Sequence, residues 1–313
     1  MADLAENVLP SVWTLVRRSI LESPGIKRTE IVERLTPRGL VRRTEGGSTT
    51  DESRHVRPSL NALLEMGVVE DRGEEGLSLT VGVESEGEFR RELTRRSFNV
   101  PKDEEDVWRL RSEWQPAHHA ELALAWLHLQ GVQTPIVSFT AAERRLQSQF
   151  GAERRLLRDT APYNTLERLA RWCGVAAQVD GRDESGSATG LIPDPTEAVR
   201  AELDTLISPG ADEPARAVVE RAAEVFTWLP HGALGRAVAE RMNECPDRAP
   251  ATGSVSEGLS LALVQLHHER EIELVAGDDA ADRVTLEPGG FIGPAGVEVR
   301  AVARIRRGGT DRG

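Results

Sequence analysis

Residues 11–80 carry a run of short amphipathic segments whose order is the strongest constraint on the fold. Apolar side chains recur at helical spacing over residues 11–22, 29–35 and 53–66, and Gly67 can supply the left-handed turn that ends the third segment. Residues 68–71 and 77–80 then follow as two short strands around a turn. Three helices and a two-stranded hairpin, in this order, predict a winged-helix module whose third helix is presented to a groove of DNA.

Two later stretches repeat part of this order. A helix capped by Asn164 and ended by Gly174, a strand at 175–179, a polar turn at 180–187 and a return at 190–192 predict a winged-helix-like unit at about 140–192. Helices at 233–243 and 259–269, a strand at 272–275 and a returning strand at 283–286 predict another, and residues 297–305 alternate as an edge strand.

We therefore expect a mainly α fold with small β-hairpins, in which several winged-helix modules (helix-turn-helix plus wing) are linked by helices. The domains predicted are an N-terminal winged helix at 1–83, a helical middle domain at 84–207 and a C-terminal winged-helix-like domain at 213–313. Residues 208–214 are expected to be a linker. Asp194 is expected to cap a helix that begins at Pro195.

Charge and cysteine usage narrow the class of protein. The net charge of −12 is not that of a general nucleic-acid coat, but it is uneven: residues 1–72 hold eleven basic and eleven acidic side chains, so the excess falls on the remainder. No signal peptide and no apolar run of about 18 residues is visible. Cys173 and Cys245 lie far apart without CxxC spacing, which indicates reduced core residues. We expect a cytoplasmic protein without membrane contact.

Sequence patterns for catalysis are missing. The chain contains no phosphate-binding GxxxxGK[ST] loop, no GxGxxG after a strand, no HExxH and no GxSxG. The adjacent pairs His118-His119 and His267-His268 point about 100° apart on a helix, which is poor geometry for one metal. We predict a protein that is not an enzyme, with no catalytic residues, no metal and no cofactor.

The candidate site is a group of cations in the first module. Arg54 and Arg57 are three residues apart and share one helical face with His55 beside them, which suits phosphate contacts or bidentate contacts to guanine. The predicted DNA-binding residues are Arg38, Arg42, Arg43, Arg54, His55 and Arg57. The alternative is a solvated helix start whose arginines pair with Asp51 and Glu52. Pro58 removes a backbone donor and is expected to shorten or kink this helix.

The predicted wing and the last module look less suited to DNA. Arg72 near the wing tip could reach a phosphate, but four carboxylates surround it in sequence: Glu70, Asp71, Glu74 and Glu75. A shift of 203 residues places Leu60 on Leu263 and Leu63 on Leu266, whereas Arg54 falls on Glu257. The core positions of the module are repeated and its cations are lost, so this copy is better placed to contact protein.

Four parts of the chain together resemble the DpdG proteins. They are the N-terminal winged helix, the turn Arg171-Trp172-Cys173-Gly174-Val175, the segment from Leu191-Ile192-Pro193-Asp194 to Arg200, and the unit that contains Leu261-Ala262-Leu263. DpdG proteins are encoded with bacterial clusters that place deazaguanine derivatives in DNA and restrict unmodified DNA. The resemblance implies an accessory subunit of such a phage-defence system and carries no catalytic residues with it.

Three functions follow as alternatives. The first is a non-catalytic DNA-binding or scaffolding subunit, with double-stranded DNA and protein subunits of the same system as partners. The second is a winged-helix transcriptional regulator, which would be a homodimer on a palindrome. The third is a protein–protein assembly subunit without DNA contact, because fold alone does not settle function.

Overall fold

The fold is known from a computed structural model of the 313-residue chain. The structure describes residues 9–36, 53–80, 83–98, 116–151, 157, 160–183, 186–208, 210, 212–242, 253–276, 283–287 and 297–305. Within these residues it is a mixture of helices and small sheets. No described helix combines the length and the apolar character that a membrane crossing needs.

The first eighty residues have the predicted order of elements. They contain α1 (Pro10–Glu22), α2 (Arg28–Leu35), α3 (Ser53–Glu65), β1 (Val69–Asp71), a 3₁₀ turn (Gly73–Glu75) and β2 (Leu77–Leu79). β1 and β2 pair antiparallel, with Val69 opposite Leu79. Gly67 has a φ of 67°, so it supplies the left-handed turn expected at the end of α3. Pro58 lies inside α3, and the helix continues through it for almost two further turns.

Further helices follow from residue 86. They are α4 (Glu86–Phe98), α5 (Pro116–His128), α6 (Phe139–Phe150), α7 (Thr160–Trp172), α8 (Thr196–Ala201), α9 (Leu203–Leu206), α10 (Ala215–Val225), α11 (Ala233–Ala239) and α12 (Glu257–His268). The prediction that Asp194 caps a helix beginning at Pro195 is wrong by one position, because α8 begins at Thr196 with Pro195 at its N-cap and no side-chain cap. Asp194 still contacts the start of the helix, since its Oδ1 accepts from the backbone N of Thr196 at 3.0 Å. Asn164 does not cap α7, because the helix begins a full turn earlier.

The remaining strands form three small sheets. They are β3 (Ala177–Asp183), β4 (Gly186–Ile192), β5 (Asp212–Pro214), β6 (Ser254–Val255), β7 (Ile272–Val275), β8 (Val284–Leu286), β9 (Val297–Val299) and β10 (Ala301–Arg304). β3 and β4 form a hairpin, β10 lies between β5 and β7, and β8 lies between β6 and β9. β6 and β8 are parallel, whereas the other pairs are antiparallel.

The sheet pairing corrects four predictions. β7 and β8 are not a hairpin, because β7 pairs with β10 and β8 pairs with β6 and β9. β10 is the central strand of its sheet and not an edge, and β5 occupies part of the expected linker. In the middle of the chain, most of the expected turn at 180–187 is paired strand. Apolar alternation identifies a strand, but the strand with which a short strand pairs depends on the tertiary structure around it.

One continuous core runs through the described residues, and α5 lies at its centre. Residues 121–130 are all buried, and α4, α7 and α11 pack against α5. Several of the enclosed polar residues are hydrogen bonded to one another: Trp126 Nε1 donates to Gln149 Oε1 at 2.6 Å, and the Gln130 and Gln149 amides exchange two bonds. Such internal pairing offsets the loss of water around these buried groups.

Candidate nucleic-acid interface

The structure places two of the predicted DNA-binding side chains on α3. Arg57 is exposed and His55 is half-buried. Arg54 lies in the first turn of the same helix, while Arg38, Arg42 and Arg43 fall outside the described residues. The DNA-binding role of all six residues stays a prediction.

Contacts with α1 determine which face of α3 is exposed. Val56, Leu60 and Leu63 are buried against the core of the first unit. The side-chain N–H of Trp13 donates to the carbonyl of Ser59 at 3.0 Å, and Ser59 Oγ accepts from the backbone N of Leu9 at 3.1 Å. These bonds fix the rotation of α3 about its axis, so the helical positions of Arg57 and Asn61 face outward.

Arg57 is an exposed cation on this outward face. Within the part of the chain that the structure describes, no carboxylate lies within ion-pairing distance of its guanidinium. Other cations of the unit are engaged: Arg18 pairs with Glu22 at 2.7 Å, and Arg72 pairs with Glu70 at 3.0 Å. Arg57 is therefore available to an anionic partner.

Two residues of the site were missed by sequence reasoning. Arg28, at the start of α2, is exposed, and its Nη2 donates to the side-chain Oδ1 of Asn61 on α3. Asn61 follows Arg57 by one helical turn. The spacing of Arg57 and Asn61 is visible in the sequence, but the contact with Arg28 joins positions 33 residues apart and exists only in the fold.

The hairpin β1–β2 is held against the turn between α1 and α2. Leu77 N donates to Ile26 O at 2.9 Å, and Lys27 Nζ donates to the carbonyls of Gly73, at 3.0 Å, and of Glu74. The backbones meet so closely that a Cβ on Gly76 would lie 2.0 Å from the carbonyl oxygen of Gly25. Only glycine fits at position 76, which also has a φ of 82°.

The charge of the hairpin is negative where it is exposed. Asp71, Glu74 and Glu75 are exposed, and the neighbouring cation Arg72 is neutralised by Glu70. Carboxylates repel phosphate, so the hairpin contributes no attraction for DNA. The possible contact between Arg72 and a phosphate is opposed by this ion pair.

Other chemically active groups are scattered. Cys173 is buried and free, and burial raises the pKa of its thiol to about 12, so no reactive thiolate forms near neutral pH. Cys245 lies outside the described residues. In the described stretches no group of three or more His, Cys, Asp and Glu side chains is placed to hold a metal ion.

The C-terminal part contains an open cavity of about 590 Å³. Its polar lining includes two arginines and two glutamates: Arg216, Arg236, Glu220 and Glu224. Val219 and Val284, both buried, form part of its apolar floor.

Comparison with known proteins identifies the family. The family model described as DpdG-like matches residues 3–280, and the chain therefore belongs to the DpdG-like family. Membership in this accessory type of family suggests an association with the deazaguanine modification system. Neither the curated proteins nor the solved structures contain a match.

Proposed function

We propose that this chain is a non-catalytic accessory subunit of a bacterial DNA modification and restriction system that acts in phage defence. It binds duplex DNA through the unit formed by α1–α3 and β1–β2, and it binds protein subunits of the same system through the rest of the chain. The observation that carries the DNA-binding part is the exposed Arg57 on α3, which has no carboxylate partner among the described residues.

The order and the contacts of the first unit support its assignment as a winged-helix module. Three helices precede an antiparallel hairpin, and the hydrogen bond from Leu77 N to Ile26 O adds the turn between α1 and α2 to the hairpin edge. α3 is then the recognition helix, and its N-terminal half enters the major groove. The limits of the three domains and the cytoplasmic location follow from the sequence analysis as part of the same proposal.

The helices, and not the wing, would make the DNA contacts. Arg57 and Arg28 are exposed cations near the start of α3 and α2, and a helix N-terminus adds backbone dipoles that favour phosphate. Lys27 donates to the carbonyl of Gly73 and so holds the acidic hairpin against the turn between α1 and α2. We expect a modest affinity that depends on few phosphate contacts, and hence a shallow salt dependence.

Protein partners would bind the middle and C-terminal parts. Most of the net charge of −12 lies in these parts, and the cavity beside α10 offers charges of both signs over an apolar floor. Such a lining suits a peptide segment that carries both acidic and basic side chains, because polar rims around apolar centres are typical of protein interfaces.

An assembly subunit without DNA contact is the second candidate function. The exposed carboxylates of Asp71, Glu74 and Glu75 favour it, since they lie on the element that often touches DNA in winged helices. In this case Arg57 would face an acidic patch of a partner protein.

The test is duplex DNA binding by the purified protein, followed by fluorescence anisotropy over a salt series. We expect micromolar binding that weakens with salt and is lost in Arg54→Glu/Arg57→Glu. The matched control is Arg18→Glu/Arg34→Glu, which makes the same charge change on exposed residues of α1 and of the end of α2.

The outcomes separate the candidates. Loss of binding in the first variant and retention in the control would support the module as a DNA-binding unit. Absence of binding at low salt would replace this function by the assembly subunit, whose partners would then be sought by pull-down. A strict homodimer on a palindromic site would instead indicate a transcriptional regulator.

A further inference from the structure

Arg28 and Asn61 form a pair that connects α2 to α3 on the exposed surface. The guanidinium Nη2 of Arg28 donates to Oδ1 of Asn61, which is half-buried in the third turn of α3. Asn61 lies four residues after Arg57, so both side chains share one face of the helix. The three side chains of Arg28, Arg57 and Asn61 are named here the donor strip.

The pair fixes which atoms Asn61 presents to a ligand. A guanidinium has five N–H donors and no acceptor, so the Asn61 amide must turn its oxygen toward Arg28. The Nδ2 group, with its two hydrogens, is then the part of the amide left for other partners. Arg57 also has donors only, and the donor strip therefore offers hydrogen-bond donors without an exposed acceptor.

We propose that the donor strip reads the acceptor edge of guanine in the major groove, an inference that rests on the proposed DNA-binding function. Guanine presents two acceptors there, N7 and O6, whereas adenine presents an acceptor beside a donor and cytosine presents a donor. An asparagine recognises adenine by using its oxygen and its nitrogen together. Because Arg28 takes one of the two acceptor positions of the Asn61 oxygen and turns that oxygen toward α2, the paired adenine contact is disfavoured, and guanine with its two acceptors matches better.

The carboxylate of Glu65 marks the C-terminal end of the donor strip on α3. Glu65 is exposed one helical turn beyond Asn61, and its charge repels phosphates and the acceptor edge of guanine. The guanine contact is thus confined to Arg57 and Asn61, with Arg28 as the residue that positions the Asn61 amide.

The experiment compares the affinity of the protein for three duplexes. The first contains guanines, the second replaces them by 7-deazaguanine, in which a C–H stands where N7 was, and the third contains A·T pairs only. We expect the full-length protein to bind the guanine duplex about tenfold more tightly than the other two. Binding is measured at one fixed low salt concentration, so that the three affinities can be compared directly.

Two variants test the role of the pair. Asn61→Asp keeps an oxygen for Arg28 but replaces the donor by an acceptor, so the ratio between the guanine and 7-deazaguanine duplexes should fall toward one. Arg28→Ala releases the Asn61 oxygen, so affinity for the A·T duplex should rise relative to the guanine duplex. Thr29→Ala, next to Arg28 and also exposed, is the control that should leave both ratios unchanged.

Failure of the inference and failure of the proposed function give different results. Equal binding to the guanine and 7-deazaguanine duplexes, or an unchanged ratio in both Asn61→Asp and Arg28→Ala, would overturn guanine reading while DNA binding stands. Absence of binding to all three duplexes would remove the DNA-binding function itself. Circular dichroism of each variant confirms that a changed ratio does not come from unfolding.

Discussion

Trp13 and Trp172 meet edge to face, with ring centroids 5.7 Å apart and ring planes at 74°. The contact joins α1 to α7, and Phe89 of α4 stands against the same Trp172 ring at 6.2 Å. The first unit therefore packs directly against the middle of the chain through these aromatic rings.

This aromatic contact predicts an energetic coupling between the first unit and the middle. In a double-mutant cycle with Trp13→Leu and Trp172→Leu, the coupling energy should be about 0.5–1.5 kcal/mol, as for other aromatic pairs. Denaturant unfolding of the four proteins gives the value. A coupling near zero would mean that the two units unfold independently.

The ion pair between Arg95 and Glu202 predicts how the free energy of unfolding changes when one or both partners are replaced. Glu202 is 2% exposed and accepts two hydrogen bonds from Arg95, each of 2.7 Å. Arg95→Met should lower the free energy of unfolding by about 2–3 kcal/mol, because it leaves a buried carboxylate without its cation. The loss is kept small because Arg95 is itself partly exposed to water. The double variant Arg95→Met/Glu202→Leu should recover much of this loss. If the double variant were no more stable than Arg95→Met, the unpaired Glu202 carboxylate would not be the cause of the loss.

His128 predicts a dependence of stability on pH. Burial lowers the pKa of its imidazole to about 3, against a hydrogen bond to the Val175 carbonyl that raises it. The unfolded chain takes up a proton near pH 6.5 and the folded chain does not, so His128 stabilises the fold above pH 6.5 and this contribution is lost as the pH falls toward 3. The slope should approach 1.4 kcal/mol per pH unit between about pH 6 and 4.

The variant His128→Phe isolates this effect. Phenylalanine retains a ring against Trp228, whose centroid lies 4.4 Å from that of His128, but it cannot titrate. The difference in unfolding free energy between the two proteins should therefore change with pH, in favour of the variant at low pH. A difference that stays constant from pH 7 to pH 4 would contradict the buried, neutral imidazole.

Glu70 predicts how the hairpin affects DNA binding. Glu70→Gln removes the ion pair with Arg72 and makes the hairpin less negative, so affinity for duplex DNA at low salt should rise a few-fold. Glu22→Gln is the control: it frees Arg18 on α1 with the same change of net charge. Equal gains in both variants would show that net charge alone, and not the hairpin, controls the affinity.

Local features of the chain were predictable, and distant pairings were not. The helices α1–α3 and the hairpin β1–β2 follow from apolar spacing and from the turn at Gly67, all of which act within a few residues. β10 instead lies between β5 and β7, which are about 90 and 30 residues away along the chain. No short-range pattern specifies such a choice, because strands of similar length and polarity compete for the same edge.

In the candidate interface, too, the local spacing of residues was predictable and the tertiary contacts were not. Arg57 was predicted from its spacing with Arg54, since helical geometry places residues three apart on one face. Arg28 and Asn61 became visible only when α2 was packed against α3, because an amide orientation depends on its tertiary partner. The contact of Asp194 with the start of α8 was predictable for the opposite reason, because its hydrogen bond to Thr196 spans two residues, although the N-cap position itself falls to Pro195.

The burial of α5 affects when the protein can fold during its synthesis on the ribosome. α4 and α7 cover part of α5, but α11 begins only at residue 233. A nascent chain that has not yet exposed α11 leaves an apolar side of its central helix in contact with water, where it is open to chaperones and to aggregation. Productive folding must therefore wait until about three quarters of the chain has been synthesised, and fragments that stop before α11 should be insoluble when expressed alone.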